Sequence, residues 1–215
     1  MKFKAAVFDM DGLMFNSEDI YFEAGRQMLA KRGLVYTKYL AEQIMGTTAQ
    51  ASMEYLIREL NIKESWESLA ADSHRFFLEL LPKMLKPMPG LLPLLDFLEA
   101  NQIPRAIGTS SPRPLMEQTL AVYQLEPRFT KTVTGSDVAH SKPHPEIYLK
   151  TAAALAIEPS EMIVLEDSST GCKAAKAAGA FTVAVPAEHS RNQNFSFVDL
   201  IADTLADPRI QDLFV

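Results

Sequence analysis

Five short apolar segments alternate with stretches of helical period, and this alternation limits the fold more than any other feature of the chain. Residues 3–8, 105–108, 132–134, 162–165 and 181–185 read as strands. Between them the pattern predicts helices over 91–100, from Ser111-Pro112, from Pro145 to about Leu155, and over 170–178. Ser111 is the expected cap of the second, with Pro112 at its first position, and Gly179 closes the last. A further helix is expected over 197–205. Strands that alternate with helices build a parallel sheet covered on both faces, with crossovers of one hand.

The interval after the first strand differs. Ser17-Glu18-Asp19 opens a run that carries Ile20, Ala24, Met28 and Leu29 and ends at Gly33. Two more amphipathic runs follow, over 50–60 and over 66–81, the latter stopping near Pro82, and no strand interrupts them. Pro87, Pro89 and Gly90 then punctuate the return to strand–helix alternation. The expected organisation is a Rossmann-like α/β core of residues 1–15 and 87–215 with an α-helical insertion over 16–86.

Bulk properties narrow the function. Of 215 residues, 47% are hydrophobic, enough for a sizeable core. The net charge is −6 with no lysine or arginine block, so no nucleic-acid polymer is expected as partner. No apolar run approaches the roughly 20 residues of a spanning helix, and no membrane association is expected. The N-terminal apolar run is too short for a signal peptide and is cut by Asp9. The lone Cys172 permits no internal disulfide. A cytoplasmic monomer is the expectation.

In a parallel sheet, ligands bind beyond the C-terminal strand ends. The first strand ends in Asp9, with Asp11 two residues on. The second ends in Thr109-Ser110-Ser111, and the fourth in Glu166-Asp167. Lys142 opens the turn before the Pro145 helix. Four carboxylates converging on one edge repel one another unless protonated or bridged by a cation. Oxygen ligands without imidazole or thiolate favour Mg2+. Lys142 and the hydroxyls of Thr109 and Ser110 complete a set suited to a phosphate dianion. The histidines look less promising: His74 reads as surface, His144 as a turn residue or cap, and His140 and His189 have no evident partner.

These segments resemble the four motifs of the haloacid dehalogenase superfamily: Asp9-Met10-Asp11-Gly12-Leu13, Thr109-Ser110-Ser111, Lys142-Pro143-His144-Pro145 and Glu166-Asp167-Ser168. Order and spacing match over essentially the whole chain, helical cap included. The resemblance is greatest to the branch that holds β-phosphoglucomutase and the sugar- and nucleotide-phosphate phosphatases. It implies Asp9 as nucleophile, forming an aspartyl-phosphate, and Asp11 as general acid/base. It implies Mg2+ held by the Asp9 carboxylate, the Asp11 backbone carbonyl and Asp167, with Glu166 reaching the ion through water. Thr109, the Ser110 amide and Lys142 would hold the phosphoryl oxygens. The implied substrate is a small phosphorylated metabolite, a sugar phosphate or nucleoside monophosphate.

Asp11 favours phosphate-ester chemistry within the superfamily, because the dehalogenases lack an acid there and the phosphonatases carry a small residue. A phosphomutase is the alternative. Against it, the cap loop Met45-Gly46-Thr47-Thr48-Ala49 has Ala49 where β-phosphoglucomutase has a phosphate-gripping arginine, and Tyr21 stands for a histidine of the mutase. Arg26, Arg58 or Arg75 could compensate. A catalytically inactive binding or regulatory module is a third reading, opposed by the intact motifs.

Overall fold

A computed structural model describes residues 3–44 and 47–215. Met45 and Gly46, the first two residues of the cap loop named above, therefore lie outside the described residues. The chain packs as two compact units, residues 1–16 with 86–215, and residues 17–85.

The first unit begins with β1 (Ala5–Phe8), all four residues buried. The second unit is helical: α1 (Ser17–Ala30), α2 (Lys38–Ile44), α3 (Ala49–Leu60) and α4 (Trp66–Met84). Its core gathers Met28 and Leu29 of α1, Leu40 of α2, Leu56 of α3 and Leu69 of α4. Each such buried side chain contributes about 1.5–3 kcal/mol relative to exposure. Thr48 caps α3 and Ser65 caps α4, each accepting a hydrogen bond from the first turn. The α4 helix runs two residues past Pro82 rather than stopping there. A proline removes only the bond to the carbonyl four residues back, and in a final turn the helix tolerates that loss.

The first unit resumes with α5 (Leu91–Ala100), β2 (Arg105–Gly108), α6 (Arg113–Ala121), β3 (Lys131–Val133), α7 (Glu146–Leu155), β4 (Met162–Glu166), α8 (Ser169–Ala178) and β5 (Phe181–Ala184). Two elements close the chain, β6 (Leu200–Ile201) and α9 (Pro208–Asp212). The six strands form one all-parallel sheet in the order β3-β2-β1-β4-β5-β6. This α/β architecture is the one expected from the strand–helix alternation. Val7, Ala106 and Val164 of the sheet pack with Ile147, Tyr148 and Ala152 of α7 and Ala174, Ala175 and Ala178 of α8 in one core.

Two further local expectations fail. The helix expected over 197–205 is absent, and β6 lies within that stretch. The segment instead satisfies the open edge of β5: Asp199 N–H donates to the Thr182 carbonyl at 3.1 Å and Ala202 N–H to that of Ala184 at 2.9 Å. The Asp199 carboxylate accepts from Thr182 N–H at 2.8 Å. An unpaired edge recruits a strand more strongly than local helical pattern can resist. Ser111 also does not cap α6; Pro112 holds the cap position without a side-chain bond, because the Ser111 hydroxyl is engaged elsewhere.

Candidate active site

The register of three central strands brings the motif residues to one sheet edge. Phe8 pairs with Ile107 of β2 on one side and with Leu165 of β4 on the other. Asp9, one residue on, donates its N–H to the Leu165 carbonyl at 3.0 Å. Asp9 thus stands between Gly108-Thr109 and Glu166-Asp167. Asp9, Glu166 and Asp167 are all buried, and ligand atoms from the three lie within 4.8 Å of one another.

Lys142 is the cation at the centre. Its ammonium donates to Asp9 Oδ1 at 2.5 Å, to Glu166 Oε1 at 2.7 Å and to the Gly108 carbonyl at 3.0 Å. All three donors of a lysine are thereby used. The side chains of Lys142 and Asp9 are only 8% and 9% exposed. Burial disfavours the charged ammonium, but the Asp9 and Glu166 carboxylates outweigh it and hold the Lys142 pKa well above the usual lysine value. Burial raises the Asp9 carboxyl well above its ordinary value; Lys142 opposes this, while Glu166, Asp167 and Asp11 reinforce it.

Glu166 is fully buried and saturated. Its Oε1 also accepts from the Tyr148 hydroxyl of α7 at 2.5 Å, and its Oε2 accepts from the Ser168 hydroxyl at 3.2 Å and Ser168 N–H at 3.4 Å. Gly171 makes room for it, since a Cβ there would collide with the carboxylate. Glu166 is therefore an anchor for Lys142 rather than an open ligand. Asp9 differs: Lys142 takes one oxygen, and Oδ2 carries no hydrogen bond among the described residues.

Asp11 is half-buried, and its Oδ2 accepts from the Ser111 hydroxyl at 2.7 Å and the Thr109 hydroxyl at 3.4 Å. Thr109 is fully buried and also accepts the Ser111 N–H at 3.1 Å. Ser110 is exposed at the same turn. Ser111, expected to be only a helix cap, is thus a partner of Asp11, three residues beyond the end of β2.

Asp167 receives His189, whose Nε2 lies 2.9 Å from Asp167 Oδ2. Burial raises the Asp167 carboxyl above its usual value, and the His189 bond works against that rise. The expectation that His189 lacks a partner is therefore wrong: it lies 22 residues beyond Asp167, and only the adjacency of β4 and β5 joins them. His140 also has a partner, with Nδ1 3.1 Å from Glu146 Oε2. His144 Nδ1 accepts the Glu146 N–H at 3.3 Å. This His140–His144–Glu146 group, its histidines exposed and its glutamate half-buried, has the right residue types for a metal, but Glu146 is already committed. It bonds Lys150 and the amides of Ala139 and His140, which lower its pKa to about 2. His74 is exposed and Cys172 fully buried.

Buried carboxylates that outnumber their one lysine form a hard, oxygen-rich donor set, fitted to a small divalent cation. The chain matches the haloacid dehalogenase-like hydrolase family over residues 6–185 and belongs to it. It is 34% identical over 205 residues to a phosphorylated carbohydrates phosphatase of Thermotoga maritima, covering 95% of this chain and 94% of that protein. A probable pseudouridine-5'-phosphatase of Drosophila melanogaster is 33% identical over 207 residues, covering 94% and 89%. In fold, it superposes on the crystal structure of CbbY from Rhodobacter sphaeroides in complex with phosphate, with a TM-score of 0.85 at 23% identity, covering 95% of this chain and 96% of that one. The family and these relatives make the chain a phosphoric monoester hydrolase. Among the described residues, no helix is long and apolar enough to cross a membrane.

Proposed function

We propose that the protein is a Mg2+-dependent phosphatase that hydrolyses a small phosphomonoester through an aspartyl-phosphate on Asp9. One observation carries the reading: a buried carboxylate has one oxygen clamped by Lys142 while the other bears no hydrogen bond among the described residues. That oxygen is the nucleophile. It attacks phosphorus, the ester P–O bond breaks, and the leaving alkoxide takes a proton from Asp11. Water then attacks the phosphorus of the acyl phosphate while Asp11 takes its proton, the P–O bond to Asp9 breaks, and inorganic phosphate leaves. Ser111 aims the Asp11 carboxylate for both transfers. Lys142 keeps its charge through the cycle because Glu166 remains beside it when Asp9 is esterified.

Mg2+ would be held by the Asp9 carboxylate, the Asp11 backbone carbonyl and Asp167, and would supply the positive charge that offsets the carboxylates and the incoming phosphate. Thr109 and the Ser110 amide are the neutral donors for phosphoryl oxygens. The relatives named for phosphorylated carbohydrates and pseudouridine 5'-phosphate support a sugar phosphate or nucleoside monophosphate as substrate.

A phosphomutase must grip a second phosphate, and the cap residues offer little for it. Ala49 opens α3 with a methyl group. Arg26 is paired to Glu23 and Arg75 to Asp72 and Glu79, while Arg58 lies over the Tyr55 ring at 5.5 Å. Phosphate release from sugar phosphates and nucleoside monophosphates, measured with Mg2+ and with EDTA, tests the proposal. Metal-dependent release from one or a few is expected. Release undiminished in EDTA would remove the metal, and no release from any of them would overturn the phosphatase reading.

A further inference from the structure

The loop after β5 is tied down for a purpose that sequence pattern alone does not reveal. Val185 N–H donates to the Glu166 carbonyl at 2.7 Å, which starts the loop beside the acidic edge. Residues 187–190 form a closed turn: Ser190 is fully buried, its hydroxyl accepts Ala187 N–H at 3.1 Å, and its own N–H donates to the Ala187 carbonyl at 3.1 Å. The loop is then stitched to the first turn of α8. Gln193 accepts Ser169 N–H at 2.8 Å, and the Ser169 hydroxyl donates to the Asn194 carbonyl at 2.8 Å. His189 sits in this fixed turn with its ring on Asp167 Oδ2.

Gly12 completes the packing. Its φ is +80°, and a Cβ there would come within 2.5 Å of Asp167 Oδ2 and 2.9 Å of His189 Cε1. The β1 turn, Asp167 and His189 therefore meet with no room to spare. Asp167 Oδ2 is spoken for by the imidazole, while Oδ1 carries no hydrogen bond among the described residues. A carboxylate free to rotate loses torsional freedom when it ligates an ion, whereas one already held does not.

We propose that His189 is a positioning residue for the metal site: its Nε2–H fixes Asp167 through Oδ2, so that Oδ1 is presented to the divalent cation. This rests on the reading of Asp167 as a metal ligand. Outer partners of ligating carboxylates contribute about 10–100-fold to metal affinity.

The test is the Mg2+ dissociation constant, obtained from the rise of melting temperature with Mg2+ concentration. His189→Ala should weaken Mg2+ binding about 10–100-fold, and the metal-free melting temperature should fall by about 2–4 °C because buried Asp167 loses its hydrogen bond. His189→Gln, which keeps an N–H donor at similar reach, should recover most of the affinity. His189→Met keeps bulk without a donor and should behave as His189→Ala, giving the same reading if the smaller side chain perturbs the fold. Affinity within about twofold of wild type in both donorless variants would overturn the proposal. Tighter binding would also overturn it, by showing that the imidazole occupies the cation's place. Absence of Mg2+ binding by the wild type would overturn the metal assignment and this role together, whereas wild-type binding with unaffected variants overturns this role alone.

Discussion

Two ionic clusters, one in each unit, contain the same kinds of side chain and treat them in opposite ways. In the helical unit Asp72 is bonded by Lys31, Arg32 and Arg75, and Arg32 also grips Glu64 through two bonds of 2.7 Å. Burial alone would raise the Asp72 carboxyl, but bonds from three cations outweigh it and lower its pKa to about 2. At the sheet edge Asp9 and Glu166 share Lys142, Asp167 pairs with His189, and Asp9 and Asp167 are raised. The two carboxylates have similar side-chain exposure, 13% for Asp72 and 9% for Asp9, but Asp72 lies near the surface beside the half-exposed Lys31 and Arg75 while Asp9 lies deep at the sheet edge beside a buried lysine. Depth and the ratio of cations to carboxylates act together. A balanced cluster stabilises its own fold, and an unbalanced buried one costs stability until a ligand brings the missing charge.

The largest effect should come from removing Lys142, the lysine at the sheet edge. Lys142→Met leaves Asp9 and Glu166 buried without a counter-charge, and breaking a buried pair from one side costs about 3–5 kcal/mol. Urea unfolding of the metal-free protein should show that loss, and turnover should vanish; a loss under about 1 kcal/mol would mean that the carboxylates are protonated or solvated instead.

Asp167→Asn should move stability the other way. A raised carboxyl costs folded-state stability as the pH climbs above its unfolded value, fully once it passes the folded one, and the neutral amide removes that cost while still accepting from His189. The metal-free variant should melt about 2–4 °C higher at neutral pH, for roughly 1 kcal/mol, and should lose the Mg2+-induced rise. A lower metal-free melting temperature would contradict the charge-imbalance account.

The smallest effect belongs to the balanced cluster. Asp72→Asn should cost about 1 kcal/mol near pH 7, discounted for solvent screening. The Asp72 pKa is depressed, so its contribution is complete above the unfolded value of about 4 and fades as the pH falls through about 2. The difference between wild type and variant in urea unfolding should therefore shrink from pH 5 toward pH 2. A difference that grows over that range would reverse the sign of the argument.

What could be read beforehand follows from range. Asp9, Thr109, Glu166 and Asp167 each follow or end a short apolar strand, so the parallel-sheet rule alone gathers them on one edge. Lys142 needed only its place before α7. Ser111 on Asp11 and His189 on Asp167 could not be read, because each bond joins segments whose adjacency is set by strand order and loop path. The stretch containing Leu200 and Ile201 reads as helical for a similar reason: its partner is the open edge of the preceding strand β5, and local period does not register that pairing. The Asp72 cluster, spanning the turn after α1, α4 and the segment between α3 and α4, is equally invisible to helical period.

The most direct test of the central claim is acid quenching during turnover, followed by peptide mass spectrometry. A phosphoryl group on the peptide that contains Asp9, absent from the Asp9→Asn variant and accompanied by its loss of turnover, is the expected result. Sustained phosphate release by Asp9→Asn, with no adduct on any carboxylate, would contradict the covalent mechanism.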